Sequence, residues 1–253
     1  MLPLSSPSSI ARLTSVCLTA TAEQLSQAEQ VLNAQEMSRA NRFVHADVRR
    51  RFIMCRSQLR HLLAQELDIA ASEVTFRYER WGKPQLALTS RPPLHFNVSH
   101  SGESALIVVA QVPVGVDLEL INERTQIRAL ASQILSDRER LVWQKLPPLQ
   151  QEASTWRLWV CKEALLKAMG LGIAEGLKQV SLPLPLPPPL PSDGEQFSPE
   201  HIDGALQMHL EDDGTCRQNH WIDSRAWRLQ LLDSFPGFQA AVCLPAGVQL
   251  QRT

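Results

Sequence analysis

The sequence predicts a mixed α/β (α+β) protein, and three patterns support this fold class. Apolar residues recur at helical spacing in residues 21–66 and again in residues 127–169. Short runs typical of strands lie between and after these segments. Residues 238–244 echo residues 104–110, because each is a strand of small and β-branched residues after a Ser- or Gly-containing turn. The echo indicates two similar α/β halves.

The N-terminal part is predicted to contain helices and then strands. Residues 21–66 have helical spacing, and they carry the basic run Arg49-Arg50-Arg51. Residues 73–78 alternate as in a strand. Trp81-Gly82-Lys83-Pro84 is predicted to be a turn, because Gly and Pro interrupt regular structure.

A polar segment lies between the next two predicted strands. Residues 94–102 and 104–110 predict a strand, a polar turn and a buried strand. The turn contains Ser99, His100 and Ser101, whose hydroxyl, imidazole and backbone N–H groups could converge on a phosphate. A lone histidine would more often be structural, but its place between two serines favours an anion site.

Residues 114–120 place two acids on one face of a predicted strand. Apolar side chains occupy every second position, and Gly115, Asp117 and Glu119 lie between them. Because successive side chains of a strand point to opposite faces, both carboxylates share a face.

The second half is predicted to contain two helices and two late strands. Residues 127–143 and 154–169 have helical spacing, and glycines follow the second helix. Residues 226–232 and 238–244 are the predicted strands.

A proline-rich run occupies residues 182–191, within an insertion around residues 182–200. Proline fixes φ and removes a hydrogen-bond donor, so the run is predicted to be extended polyproline II. We interpret it as a semi-rigid surface insertion in preference to a ligand for an adaptor domain.

Composition excludes several classes of partner. A formal net charge of -1 argues against nucleic acid, and no apolar run is long enough to span a membrane. Residues 1–20 lack the pattern of a signal peptide. Five dispersed cysteines without a CxxC pair argue against a disulfide framework or zinc site, and they favour the cytoplasm.

The acids predict a divalent-metal site. Asp117 and Glu119 could bind Mg²⁺ through oxygen, and Glu163 would complete the set if its helix packs over the strand end. Each motif alone favours a solvated strand edge, or an ordinary helical pair between Glu163 and Lys167. Together they favour a site, because the helix that carries Glu163 is otherwise apolar.

Four motifs follow one another in a fixed order. They are Trp81-Gly82-Lys83-Pro84, Phe96-Asn97-Val98-Ser99-His100-Ser101-Gly102, Gly115-Val116-Asp117-Leu118-Glu119, and Trp159-x-x-Lys162-Glu163-Ala164-x-x-Lys167-Ala168-x-Gly170-x-Gly172. This pattern resembles the 4′-phosphopantetheinyl transferases of the surfactin-synthetase-activating type, and the resemblance covers residues 42–173.

The resemblance implies two α/β halves with pseudo-two-fold symmetry, residues 1–112 and 113–253. It implies an enzyme that uses Mg²⁺ to transfer the 4′-phosphopantetheine arm of coenzyme A to a serine of an acyl or peptidyl carrier protein. Adenosine 3′,5′-bisphosphate is the implied second product. A chain with two halves of its own is expected to act as a monomer.

The resemblance also assigns roles to individual residues. The implied metal ligands are Asp117, Glu119 and Glu163, and the implied catalytic residues are Glu163, Lys167 and Asp117. The implied coenzyme A residues are Arg51, Lys83, Ser99, His100 and Lys167. Arg39 could add to the 3′-phosphate pocket, and Glu139 falls where such enzymes often carry another acid near the metal. Glu36 departs from the pattern, because relatives can have a basic residue there.

Two other functions remain open from the sequence. One is a different Mg²⁺-dependent phosphoryl or nucleotidyl transferase, although no Gly-rich phosphate or dinucleotide motif occurs. The other is a non-catalytic module that binds carrier proteins or coenzyme A.

Overall fold

A computed structural model describes residues 10–78, 84–87, 93–171, 176–182, 184, 227–232 and 235–253. These residues form six α-helices and nine strands, so the predicted mixed α/β class is confirmed. The helices are α1 (Ala22–Gln30), α2 (Ala34–Ala40), α3 (Ala46–Leu67), α4 (Ile127–Ile134), α5 (Asp137–Trp143) and α6 (Pro148–Met169). The strands are β1 (Ile10–Cys17), β2 (Phe76–Tyr78), β3 (Pro84–Leu86), β4 (His95–Ser101), β5 (Ser104–Ala110), β6 (Gly115–Leu120), β7 (Trp227–Leu232), β8 (Phe238–Pro245) and β9 (Gln249–Arg252).

The chain divides into two compact units. Of the described residues, 10–112 and 249–253 form the first unit, and the described residues of 113–248 form the second. β9 therefore lies in the same unit as β1.

The first unit contains a four-stranded sheet in the order β4-β5-β1-β9. β1 pairs antiparallel with β5 and parallel with β9, and β4 pairs antiparallel with β5. Apolar side chains of α3, among them Ile53, Leu59 and Leu63, share a buried core with Phe96 of β4 and Ile107 of β5. This packing holds α3 against the sheet.

A buried ion pair explains the acid at position 36. Arg60 Nε donates to Glu36 Oε2 over 2.9 Å, and Arg60 Nη2 lies 2.7 Å from the same oxygen. Arg60 is fully buried and Glu36 is 2% exposed. A basic residue in place of Glu36 would leave Arg60 buried beside another positive charge.

The second unit contains a three-stranded antiparallel sheet in the order β6-β8-β7, with α6 packed against β6 and β8. Its register pairs Asp117 with Ala241 and Glu119 with Gln239. Proline at the first position begins α6, and Gly170 ends it with a φ of 72°.

Some predicted boundaries were wrong. Residues 127–143 form two helices because Ser136 caps α5, accepting from the Glu139 N–H while the Glu139 side chain accepts from the Ser136 N–H. Residues 21–66 likewise fall into three helices, since capping boxes at Thr21 and Asn33 start α1 and α2.

Other elements also differ from the predictions. β1 and β9 were not predicted, and α6 begins six residues before position 154. Ser99 and His100 belong to β4, so the hairpin turn comes later, at Gly102 and Glu103. The predicted turn at 81–83 and most of the proline-rich insertion lie outside the described residues.

Candidate functional site

Strand β6 and helix α6 lie in direct backbone contact, and Gly115 allows it. A Cβ on Gly115 would overlap the Ala164 carbonyl oxygen and lie 2.5 Å from the Ala168 nitrogen. Any side chain at position 115 would therefore force the helix away from the strand. The contact brings the face of β6 that carries Asp117 and Glu119 against the turn of α6 that carries Glu163.

Three carboxylates meet where these elements touch. Asp117, Glu119 and Glu163 each offer one oxygen, and these oxygens all lie within 4.8 Å of one another. We call these three residues the acid cluster. Asp117 is 1% exposed and Glu163 is 9% exposed. Buried carboxylates at this spacing repel one another, so the cluster favours a cation with hard oxygen ligands such as Mg²⁺.

Lys167 balances part of this charge. Its Nζ donates to Asp117 Oδ1 over 2.5 Å and lies 3.3 Å from Glu163 Oε2. Burial alone would lower the pKa of Lys167, but the two acids outweigh it and the pKa is raised. Lys167 therefore stays charged in the cluster.

The surroundings of Glu163 disfavour its charged form, whereas those of Lys167 favour the charged form. Burial raises its pKa, and the charge of Asp117 raises it further, while Lys167 and a hydrogen bond from Trp159 act to lower it. The net pKa of Glu163 is above its ordinary value. Its charged form thus depends on cations and donors placed next to it.

The sequence analysis did not predict that Trp159 contacts the acid cluster. Its indole Nε1 donates to Glu163 Oε1 over 2.8 Å. The four-residue spacing on one helix was a usable signal, because residues i and i+4 lie on the same face.

Glu139 does not belong to the acid cluster. Its Oε2 accepts from Lys162 Nζ over 2.6 Å, and its carboxylate also accepts from the backbone N–H groups of Ser136 and Leu182. Lys162 and Glu139 are fully buried or nearly so. This pair joins α5, α6 and the segment at Leu182, which is a structural role.

The predicted 3′-phosphate residues lie in the first unit. Arg51 Nη1 donates to the Gly102 carbonyl oxygen over 3.2 Å, at the β4–β5 turn. Ser99 is buried on β4 and His100 is exposed. The structure thus brings Arg51 to the end of the hairpin whose first strand contains Ser99 and His100. Lys83 lies outside the described residues.

Arg39 lies on α2, also in the first unit. Its guanidinium lies over the ring of Phe52, 5.3 Å from the ring centre, and the residue is exposed.

The cluster can hold a divalent cation and place an ammonium beside it. A cation and an ammonium at one point bind the oxygens of a phosphate or pyrophosphate and stabilise charge that develops there. The carboxylate of Glu163 can also accept a proton from a group brought to the same point.

Two family models match the chain in succession. One, described as 4′-phosphopantetheinyl transferase, N-terminal, matches residues 18–112. The other, described as the 4′-phosphopantetheinyl transferase superfamily, matches residues 113–203.

Individual proteins are also similar to this chain. The 4′-phosphopantetheinyl transferase HetI of Nostoc sp. is 37% identical over 163 residues, 64% of this chain and 68% of that protein. A protein of Synechocystis sp. is 35% identical over 204 residues, 78% of this chain and 79% of its own length. The 4′-phosphopantetheinyl transferase psf-1 of Bacillus pumilus is 31% identical over 155 residues, 61% of this chain and 65% of that protein.

Proposed function

This chain belongs to the 4′-phosphopantetheinyl transferase superfamily, and we propose that Asp117, Glu119 and Glu163 hold a Mg²⁺ ion for its reaction. Enzymes of this superfamily transfer the 4′-phosphopantetheine arm of coenzyme A to carrier proteins, and this chain is an enzyme of that kind. The observation that carries the metal assignment is the acid cluster, whose oxygens lie within 4.8 Å of one another.

The reaction is a displacement at phosphorus. The hydroxyl oxygen of a carrier-protein serine forms a bond to the β-phosphorus of coenzyme A. The bond from that phosphorus to the bridging oxygen breaks, and adenosine 3′,5′-bisphosphate leaves with that oxygen. The proton of the serine passes to the carboxylate of Glu163.

Each residue of the site has a defined part in this step. A Mg²⁺ ion held by Asp117, Glu119 and Glu163 would supply positive charge for the pyrophosphate oxygens. Lys167, held charged by Asp117 and Glu163, donates to a pyrophosphate oxygen and stabilises the leaving group. Asp117 orients Lys167 as well as offering a metal ligand.

Four residues are proposed to bind the rest of coenzyme A. Arg51, Ser99 and His100 would bind the 3′-phosphate, and Lys83 would contact a phosphate. The contact of Arg51 with the β4–β5 turn supports this, because it keeps a guanidinium beside the end of the strand that carries His100.

The remaining proposals concern the protein as a whole. We propose two functional halves, residues 1–112 and 113–253, acting within a monomer. We also propose a cytoplasmic location, supported by Cys17, Cys55, Cys161 and Cys243, which are free thiols. No helix in the part of the chain that the structure describes is both long and apolar enough to cross a membrane.

The metal assignment is tested by measuring release of adenosine 3′,5′-bisphosphate from coenzyme A with an apo carrier protein. Asp117→Asn is expected to lower turnover by at least a hundredfold at any Mg²⁺ concentration. Asp137→Asn is the matched control, because Asp137 is an exposed acid in the same unit. Near-normal turnover of a folded Asp117→Asn variant would exclude the assignment.

A further inference from the structure

Two tryptophans on helix α6 have the same side chain but different surroundings. Trp156 and Trp159 lie about one turn apart with their rings stacked, the ring centres 6.1 Å apart and the planes at 24°. The Trp159 N–H donates to Glu163, whereas the Trp156 N–H has no hydrogen-bond partner among the described residues. Comparing the two tryptophans therefore distinguishes the effect of losing an indole N–H that donates to Glu163 from the effect of changing a packed ring.

The hydrogen bond from Trp159 fixes one oxygen of Glu163. Trp159 Nε1 lies 2.8 Å from Oε1, while Lys167 Nζ lies 3.3 Å from Oε2. Trp159 precedes Glu163 by one helical turn and Lys167 follows it by one turn, so the carboxylate is held from both sides along the helix. A glutamate has three side-chain torsions, and these two contacts restrict how it can turn.

We propose that Trp159 is a positioning residue, whose indole N–H holds Glu163 in the orientation that completes the acid cluster. The inference rests on the proposed metal role of Glu163. Partners that orient metal ligands in this way typically change metal affinity or activity by about 10- to 100-fold when they are removed. Stacking on Trp156 fixes the indole itself, so the donor is already in place.

The test compares Trp159→Phe with Trp156→Phe in the transfer assay. Both variants keep an aromatic ring and lose one N–H, but only the first loses a hydrogen bond to the acid cluster. Trp159→Phe is expected to raise the Mg²⁺ concentration for half-maximal rate about tenfold or more. Trp156→Phe is expected to stay within about twofold of the wild type. The KM for coenzyme A at saturating Mg²⁺ should be the same for all three proteins.

Because Mg²⁺ binds the folded state, reversible unfolding would itself raise the half-saturating Mg²⁺ concentration, so the three proteins are compared at a temperature at which all of them are folded. Thermal unfolding is measured in parallel, and Trp159→Leu removes the same N–H if the Phe variant does not fold. Equal Mg²⁺ dependence of the two Phe variants would overturn the proposal for Trp159. Absence of transfer by the wild type, with any carrier protein, would overturn the proposed function instead.

Discussion

The acid cluster brings three carboxylates close together. Asp117 and Glu163, both less than one-tenth exposed, form ion pairs with Lys167. Like charges at this spacing destabilise one another, and Asp117 contributes to the raised pKa of Glu163 for this reason. A cation bound here relieves the repulsion, so residues of the cluster should affect function and stability in opposite directions.

Neutralising Glu163 should raise the stability of the metal-free protein while lowering its activity. Glu163→Gln keeps the size of the side chain and removes a buried charge, so we expect a higher unfolding temperature in the presence of chelator. The same variant should lose turnover and the stabilisation that Mg²⁺ gives the wild type. Calorimetry with and without Mg²⁺ measures both effects. A variant that Mg²⁺ stabilises as strongly as the wild type would contradict the ligand role.

The raised pKa of Glu163 also predicts a pH dependence. Because burial and Asp117 raise this pKa, the carboxylate takes up a proton at a higher pH than an ordinary glutamate. At subsaturating Mg²⁺ the rate should fall as pH drops through that raised pKa, and saturating Mg²⁺ should move the fall to lower pH, since metal and proton compete. A pH profile that Mg²⁺ does not move would count against this account.

The raised pKa of Glu163 also makes the stability of the metal-free protein depend on pH. The folded state binds the Glu163 proton more tightly than the unfolded chain does. This contribution therefore stabilises the fold at low pH and is lost as pH rises from the unfolded pKa through the raised folded pKa. Comparing wild type with Glu163→Gln across this range isolates it.

The two lysines of α6 should respond differently to substitution. Lys162 is fully buried and bonds to Glu139 and to the carbonyl oxygens of Ile134 and Leu177. Lys162→Met should lower the free energy of unfolding by about 3–5 kcal/mol with or without Mg²⁺, because it leaves a buried carboxylate without its cation. Denaturant unfolding measures this loss.

Lys167→Met is the paired variant. It should lose turnover, while saturating Mg²⁺ recovers most of its stability, because the metal replaces the missing positive charge beside Asp117 and Glu163. The assignment of separate roles fails if Mg²⁺ rescues the stability of Lys162→Met and not that of Lys167→Met.

At the level of elements, the site depends on one close contact between β6 and α6. Small residues form it, with Gly115 against the backbone of Ala164 and Ala168. The strand supplies Asp117 and Glu119 and the helix supplies Glu163, so the distance between the elements sets the size of the acid cluster. A change that separates them should affect the metal site without touching an acid.

Gly115→Ala makes that change. Its Cβ meets helix backbone, which cannot move aside as a side chain can, so we expect a loss of about 1–3 kcal/mol in the free energy of unfolding and a large loss of turnover. Gly247→Ala is the control, since Gly247 has a φ of 85° but nothing within 4 Å of a Cβ. It should cost about 1 kcal/mol and leave turnover intact. Equal turnover in both variants would exclude the dependence on this contact.

The sequence predicted some of these elements better than others. β6 was predicted from its alternation of branched apolar residues with Gly115, Asp117 and Glu119, and β8 from a run of small and β-branched residues after a turn. β1 was missed because it mixes polar residues with apolar ones, and β9 because four residues carry little pattern. Both strands depend on pairing with residues far along the chain, which periodicity does not report.

The sequence likewise predicted the acids of the site but not all of their surroundings. Asp117, Glu119 and Glu163 were found from their motifs, and the structure brings them together. The partner of Glu139 was not predictable from the sequence. The same sequence pattern would allow this acid to face either the acid cluster or a buried lysine, and the structure pairs it with Lys162. The close approach at Gly115 was not predictable either, since it depends on how the helix packs on the strand.

For the whole molecule, each unit combines a sheet with a 22-residue helix. The first unit has a mixed four-stranded sheet and α3, and the second has a three-stranded antiparallel sheet and α6. The helix of the second unit carries Glu163 and Lys167, and the helix of the first carries Arg51. The acid cluster lies in the second unit, and the proposed 3′-phosphate residues Arg51, Ser99 and His100 lie in the first.

The most direct test is the intact mass of an apo carrier protein after incubation with this chain, coenzyme A and Mg²⁺. We expect a gain of one phosphopantetheine, and we expect it to disappear with chelator and with Asp117→Ala. Transfer that persists under both conditions would contradict the metal-dependent mechanism. No gain on fatty-acid, polyketide or peptide carrier proteins would contradict the assigned reaction itself.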